Sequence, residues 1–170
     1  DFRHLDIVTI DGETARDFDD AVWVEKLDNG NYALQVHIAD VSHYVRPGSA
    51  IDREALLRGT SVYFPDRAVP ILPAARSTGI SALMELDPKG DVVKQELCRG
   101  VIRSAARMTY TSVHKILERD EQERAQYSQL VPRFELMREL ALILNRKRSK
   151  RGSIDFDLPE PLIEFDEFGE

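Results

Sequence analysis

The stretch Thr9–Val24, TIDGETARDFDDAVWV, places four aspartates (Asp11, Asp17, Asp19, Asp20) within ten residues, between apolar runs that read as strands. Like charges packed this closely repel, and each carboxylate must stay solvated or find a partner. A cation among them would remove the conflict. Asp11 closes the run LDIVTI and Asp20 opens the next strand, so a tight connection returns both to one end of a sheet. Asp17 and Asp19, two apart in an extended segment, are directed to the same side. Magnesium prefers hard oxygen ligands, keeps several waters and needs only a few carboxylates held on rigid elements. The set suffices for two ions about 4 Å apart, an arrangement common in phosphodiester hydrolysis. The plain alternative is a solvated acidic loop; Ile10, Phe18, Ala21 and Val22, which tie the segment to a core, speak against it. A calcium loop of EF-hand type counted from Asp11 is disfavoured. Ala15 falls at a ligand position, Arg16 at the glycine position and Val22 where the closing glutamate belongs.

Outward from this stretch, AVWVEKL, the turn DNGN and YALQVHIAD predict a hairpin, with Asn29-Gly30 as its strongest signal. SAIDREALLRG predicts a helix capped by Ser49 and ended by Gly59. TSVYF and AVPIL are short extended pieces broken by Pro65, Pro70 and Pro73. SALMEL, the turn DPKGD and VVKQELCRGVIRSA predict a second hairpin. TYTSVHKILERD and PRFELMRELALILNRKRSK predict two helices, the second with Phe134, Met137, Leu140, Ala141 and Leu144 on one face. Extended pieces, IDFDLPEP and LIEFDEFGE, follow. Strands and helices without regular βαβ alternation indicate an α+β fold, a mixed and largely antiparallel sheet with flanking helices.

The 170 residues, 42% hydrophobic, suffice for one core of ordinary size. No apolar run approaches the roughly 18 residues of a membrane span, and DFRHLDIV resembles no export signal, so the expectation is a soluble protein with no membrane partner. The single cysteine, Cys98, excludes an internal disulfide and a cysteine-rich zinc site; its plain reading is a small buried apolar residue, and it agrees with a reducing cytoplasm. A net charge of -7 argues against a polyanionic partner. Seven of the 30 acids, however, lie in the stretch 152–170, which has no Lys or Arg, leaving 23 acids against 23 bases before it. The basic run RKRSKR (Arg146–Arg151) reads first as a solvated helix end favoured by the dipole, and second as an RNA contact. His4, His37, His43 and His114 lack metal-like spacing and read as structural or surface residues. Neither a glycine-rich phosphate loop nor a nucleophile elbow is present.

Taken in order, DIVTIDGETARDFDDAV, VHIADVSHYVRPGSAIDREALLRGTSVYFPDRAVPILP, RMTYTSVHKIL and RGSIDFDLPEP resemble the ribonuclease II and ribonuclease R (RNB) family of exoribonucleases. The resemblance implies that residues 1–170 are the N-terminal portion of a single RNB catalytic domain. It implies processive hydrolysis of single-stranded RNA from the 3′ end, releasing nucleoside 5′-monophosphates, with magnesium as the metal and no DNA partner. On that resemblance Asp11 and Asp20 hold a magnesium ion, Asp17 helps shape its site, and Asp19 serves the second metal or the attacking water. Asp19 and Asp17 are thus the catalytic candidates. Tyr63 matches the aromatic that packs on the 3′-terminal base, and Tyr110 and Phe156 fall where the family has aromatics along the RNA path. Base stacking contributes about 1–3 kcal/mol and tolerates any sequence; the plain alternative for each ring is core packing. Asp40, at a strand end, reads as the cap of the following turn.

Two departures from the family pattern stand out. After VPILP the family continues through Leu-Ser-Asn and Cys-Ser-Leu elements and an Asp-Arg pair, whereas AARSTGISALMEL passes directly to a strand, so a stretch is missing near Ile80 and Ser81. The family's later segment, with a phosphate-facing arginine, is also absent, and the 170 residues alone are not expected to complete the site. Two competing readings follow: an RNA-binding fragment that does not cleave, and a structural ion-binding domain without a nucleic-acid partner.

Overall fold

The computed structural model describes residues 1–15, 18–63, 68–69 and 78–154. In chain order they form β1 (Val8–Asp11), β2 (Asp20–Lys26), β3 (Tyr32–Ala39), α1 (Val41–Tyr44), α2 (Ala50–Arg58), β4 (Val62–Tyr63) and β5 (Ala68–Val69). There follow β6 (Thr78–Leu86), β7 (Val92–Val101), β8 (Ala106–Thr109), α3 (Tyr110–Leu117), α4 (Glu121–Gln126) and α5 (Val131–Lys150). Six strands make one sheet in the order β7-β6-β3-β2-β1-β8, and β4 and β5 form a separate pair. Every neighbour in the large sheet is antiparallel except β1 and β8, which run parallel. The fold is therefore mixed α+β, as the patterning predicts.

Both hairpins arise from local chemistry. Between β2 and β3, Gly30 takes φ 83°, the Leu27 N–H donates to the Asn31 carbonyl at 2.8 Å, and the Asn29 side chain accepts from the Asn31 N–H at 2.9 Å. An L side chain would strain at that φ, so glycine belongs there. Between β6 and β7, Asp87 Oδ1 accepts from the Lys89 and Asp91 N–H groups at 2.9 and 2.8 Å. β6 begins at Thr78, ahead of the expected SALMEL, and runs unbroken past Ile80 and Ser81, which lie opposite Ile38 and His37. Ser49 caps α2 by accepting from the Asp52 N–H at 3.1 Å, and Gly59 ends it at φ 73°.

The helices α3 and α5 cover one face of the sheet. Val8, Met108, Ile116, Leu130, Val131 and Phe134 form one buried cluster. Val24, Tyr32, Leu86 and Leu140 form a second, with Leu136, Met137, Ile143 and Leu144 packed against it. Alternation along β2 sends Ala21 and Trp23 to the other side, where they meet Ile7, Phe2 and Leu5. Phe2 lies across Gly100, where an added Cβ would come within 2.7 Å of its ring and 2.8 Å of Ser81 Oγ.

Three expectations need correction. Ala141, expected on the buried face of α5, is exposed. It points as Phe134 does, seven residues earlier, but beyond Met137 the buried direction shifts to Leu140 and Ile143 as α5 crosses β3 and β6. The stretch expected to continue α3 through Asp120 instead turns at Arg119, whose φ is 68°, and Asp120 caps the separate helix α4 by accepting from the Glu123 N–H at 2.9 Å. Cys98 is half-buried on edge strand β7 rather than buried.

Candidate active site at one end of the sheet

β1, β3 and β8 finish at the end of the sheet where β2 begins. Asp11 is the last residue of β1, beside Thr109 in the parallel pairing with β8. Asp20 is the first residue of β2, opposite Ile38. The Asp19 carbonyl accepts from the Ala39 N–H at 2.7 Å, which fixes the backbone just ahead of β2. Three of the four predicted aspartates thus reach one sheet end; Asp17 lies outside the described residues. Asp11 Oδ2 is buried, whereas Asp19 and Asp20 are exposed. This donor set of hard carboxylate oxygens on strand ends suits magnesium in kind. Among the described residues, no three His, Cys, Asp or Glu side chains stand close enough to hold one ion together.

The connection from Asp11 to Asp20 is anchored through Phe18, expected to tie the segment to the core, and at residues the sequence does not single out. Glu13, two residues past Asp11, takes hydrogen bonds first from the Thr111 side chain and also from Thr109, and these hold its carboxyl below the usual carboxylate range. Thr109 itself caps α3, its Oγ1 accepting from the Ser112 N–H at 3.1 Å. On the returning arm, the Arg107 guanidinium lies 3.6 Å from the centroid of the Phe18 ring. The only sequence signal for these contacts is that RMTYT carries a cation and hydroxyls; its nearness to the loop comes from the β1–β8 pairing, which no local pattern announces.

The aromatic candidates divide. Tyr110, first residue of α3 and next to Thr109, is 64% exposed at the carboxylate end, so it packs in no core. The Tyr63 backbone forms β4 opposite Ala68, and its side chain lies outside the described set, as does Phe156. Asp40 caps the turn into α1 as read. It accepts from Ser42 Oγ at 2.6 Å and the His43 N–H at 3.2 Å, with Arg99 at 3.7 Å, and the Ser42 bond leads in holding its carboxyl below the usual range. His37 is buried, 2.7 Å from Ser81 Oγ, and burial lowers its pKa; His4, His43 and His114 are exposed. In the basic run, Lys147 Nζ donates to the Gly90 carbonyl at 2.8 Å and pairs with Asp91, a structural contact at the far end of the sheet.

The whole of residues 1–170 matches the RNB domain model, and the chain belongs to that family. Ribonuclease R of Thermotoga maritima is 47% identical over 183 residues, covering 100% of this chain and 26% of that protein. Mycoplasma genitalium RNase R, solved in complex with ribose methylated single-stranded RNA, superposes with a TM-score of 0.83 at 28% identity, covering 98% of this chain and 28% of that one. The same enzyme in complex with double-stranded RNA gives a TM-score of 0.84 at 29% identity, covering 99% and 32%. The chain thus spans about a quarter to a third of the length of these relatives. Among the described residues, no helix is long and apolar enough to cross a membrane.

Proposed function

We propose that this chain carries the carboxylate part of a 3′-to-5′ exoribonuclease site that hydrolyses single-stranded RNA to nucleoside 5′-monophosphates in the cytoplasm. The observation that carries the reading is the placement of Asp11, Asp19 and Asp20 at one sheet end in a chain of the RNB family. The relative solved with RNA bound supports RNA as the partner.

In this reading Asp11, Asp17 and Asp20 hold magnesium, and Asp19 serves a second ion or the attacking water. Bound there, the ions would supply Lewis acidity, activating water and stabilising the leaving 3′-oxygen. The chain's own residues do the positioning: strand ends fix the carboxylates, and Asp19 is exposed, within reach of water or substrate. Tyr110 offers a stacking surface beside them, with Tyr63 and Phe156 as further aromatic contacts.

The test is Asp19→Asn in the protein at its full natural length. It should lose at least about 100-fold in turnover, the range for a residue that acts on the attacking group, while single-stranded RNA still binds. Unchanged turnover removes Asp19 from the catalytic set.

A further inference from the structure

β1 and β2 share only the Val8–Val22 pair among the described residues. The ladder described between them therefore stops short of the carboxylates. Asp19 and Asp20 are tied to β3 and Asp11 to β8, so contacts between the loop and β8 add to what sets their spacing. The returning arm of the connecting loop leans on one corner of the fold, the passage from β8 into α3. The returning arm is held by Phe18, next to Asp19, beneath the Arg107 guanidinium at 3.6 Å. The corner is itself locked to β1, since Arg107 pairs with Thr9 and Thr109 with Asp11. Thr109 also caps α3, so the anchor point is a helix start rather than a loose loop.

We propose that Arg107 is a positioning residue for the aspartate site, fixing Asp19 and Asp20 relative to Asp11 by its contact with Phe18. The inference rests on the functional reading above. A guanidinium over a ring is directional, because the cation seeks the negative face and the planar group can stack on it. Arg107 is exposed, so its loss leaves no hole in a core. Its nearest plain role, a surface contact with no bearing on the site, predicts no change in cation binding.

The experiment measures magnesium binding by calorimetry, without RNA, in the protein at its full natural length. Wild type is compared with Arg107→Gln, Arg107→Lys and Phe18→Leu. Arg107→Gln and Phe18→Leu should weaken magnesium binding about tenfold, as loss of a support around metal ligands does. Arg107→Lys, which keeps a cation for the ring but not the planar stack, should fall between. The melting midpoint in chelator and RNA affinity in chelator should match wild type for Arg107→Gln. Wild-type magnesium affinity in Arg107→Gln overturns the proposal, as does weakened binding that tracks a lowered melting midpoint. If wild type cleaves and binds magnesium while Arg107→Gln is indistinguishable from it, this inference alone falls. If wild type neither binds magnesium nor cleaves, the functional reading falls and takes this one with it.

Discussion

Lowering the pH from about 7.5 to about 5 should weaken the fold mainly through one side chain, His37. Its ring is 1% exposed, stands 2.7 Å from Ser81 Oγ through Nδ1, and meets Phe2 at a centroid distance of 5.4 Å. Nε2 is buried with no hydrogen-bond partner among the described residues, so a proton added to the ring would leave a buried N–H unsatisfied. Burial accordingly holds the imidazole below its ordinary value of 6.5. Above that value His37 is neutral in both states and costs nothing. Below it the unfolded chain takes up the proton before the folded one, and stability falls by up to about 1.4 kcal/mol per pH unit until the folded pKa is reached. Carboxyl groups held low in the fold, among them Asp40, Glu85, Asp91 and Glu139, act in a different window. Their ordinary values are 3.8 and 4.5, so their contribution is present above that range and is lost only as pH falls through it. Urea unfolding at several pH values between about 7.5 and 5 should show the slope in wild type and lose it in His37→Gln. A flat wild-type profile, or the same slope in the variant, would refute the reasoning.

Two further outcomes follow from burial and exposure. Phe134→Ala removes a ring that is 1% exposed within the cluster joining α3, α5 and β8 and should cost about 3–5 kcal/mol, read as a lower urea midpoint; a loss under about 1 kcal/mol would deny it a core role. Tyr110→Ala removes a ring that is 64% exposed and should weaken single-stranded RNA binding in chelator by about 1–3 kcal/mol with the melting midpoint unchanged. Wild-type affinity would take Tyr110 off the RNA path.

What the sequence announced and what it hid divide along one line, local against non-local chemistry. Asn29-Gly30 and Asp87 sit within the turns they direct, and Ser49 and Gly59 cap the helix they flank, so each was readable in place. The aspartates were readable for the same reason, because Asp11 and Asp20 are the residues at which strands end and begin. β8 was not: the four residues ARMT become a strand by parallel pairing with β1, almost a hundred positions earlier. The clamp on the loop depends on that pairing and shared its invisibility. The sequence leaves His37 a structural or surface residue, and only the sheet shows Ser81 beside it. α4 buries no residue, so it carries no apolar period to detect, and the Asp120 cap sets its start.

The central claim is tested most directly by incubating the protein at its full natural length with 5′-labelled single-stranded RNA, with and without magnesium. A ladder that shortens from the 3′ end, appears only with magnesium and disappears with Asp19→Asn is the predicted result. Internal cuts, or degradation that proceeds equally in chelator, would contradict it.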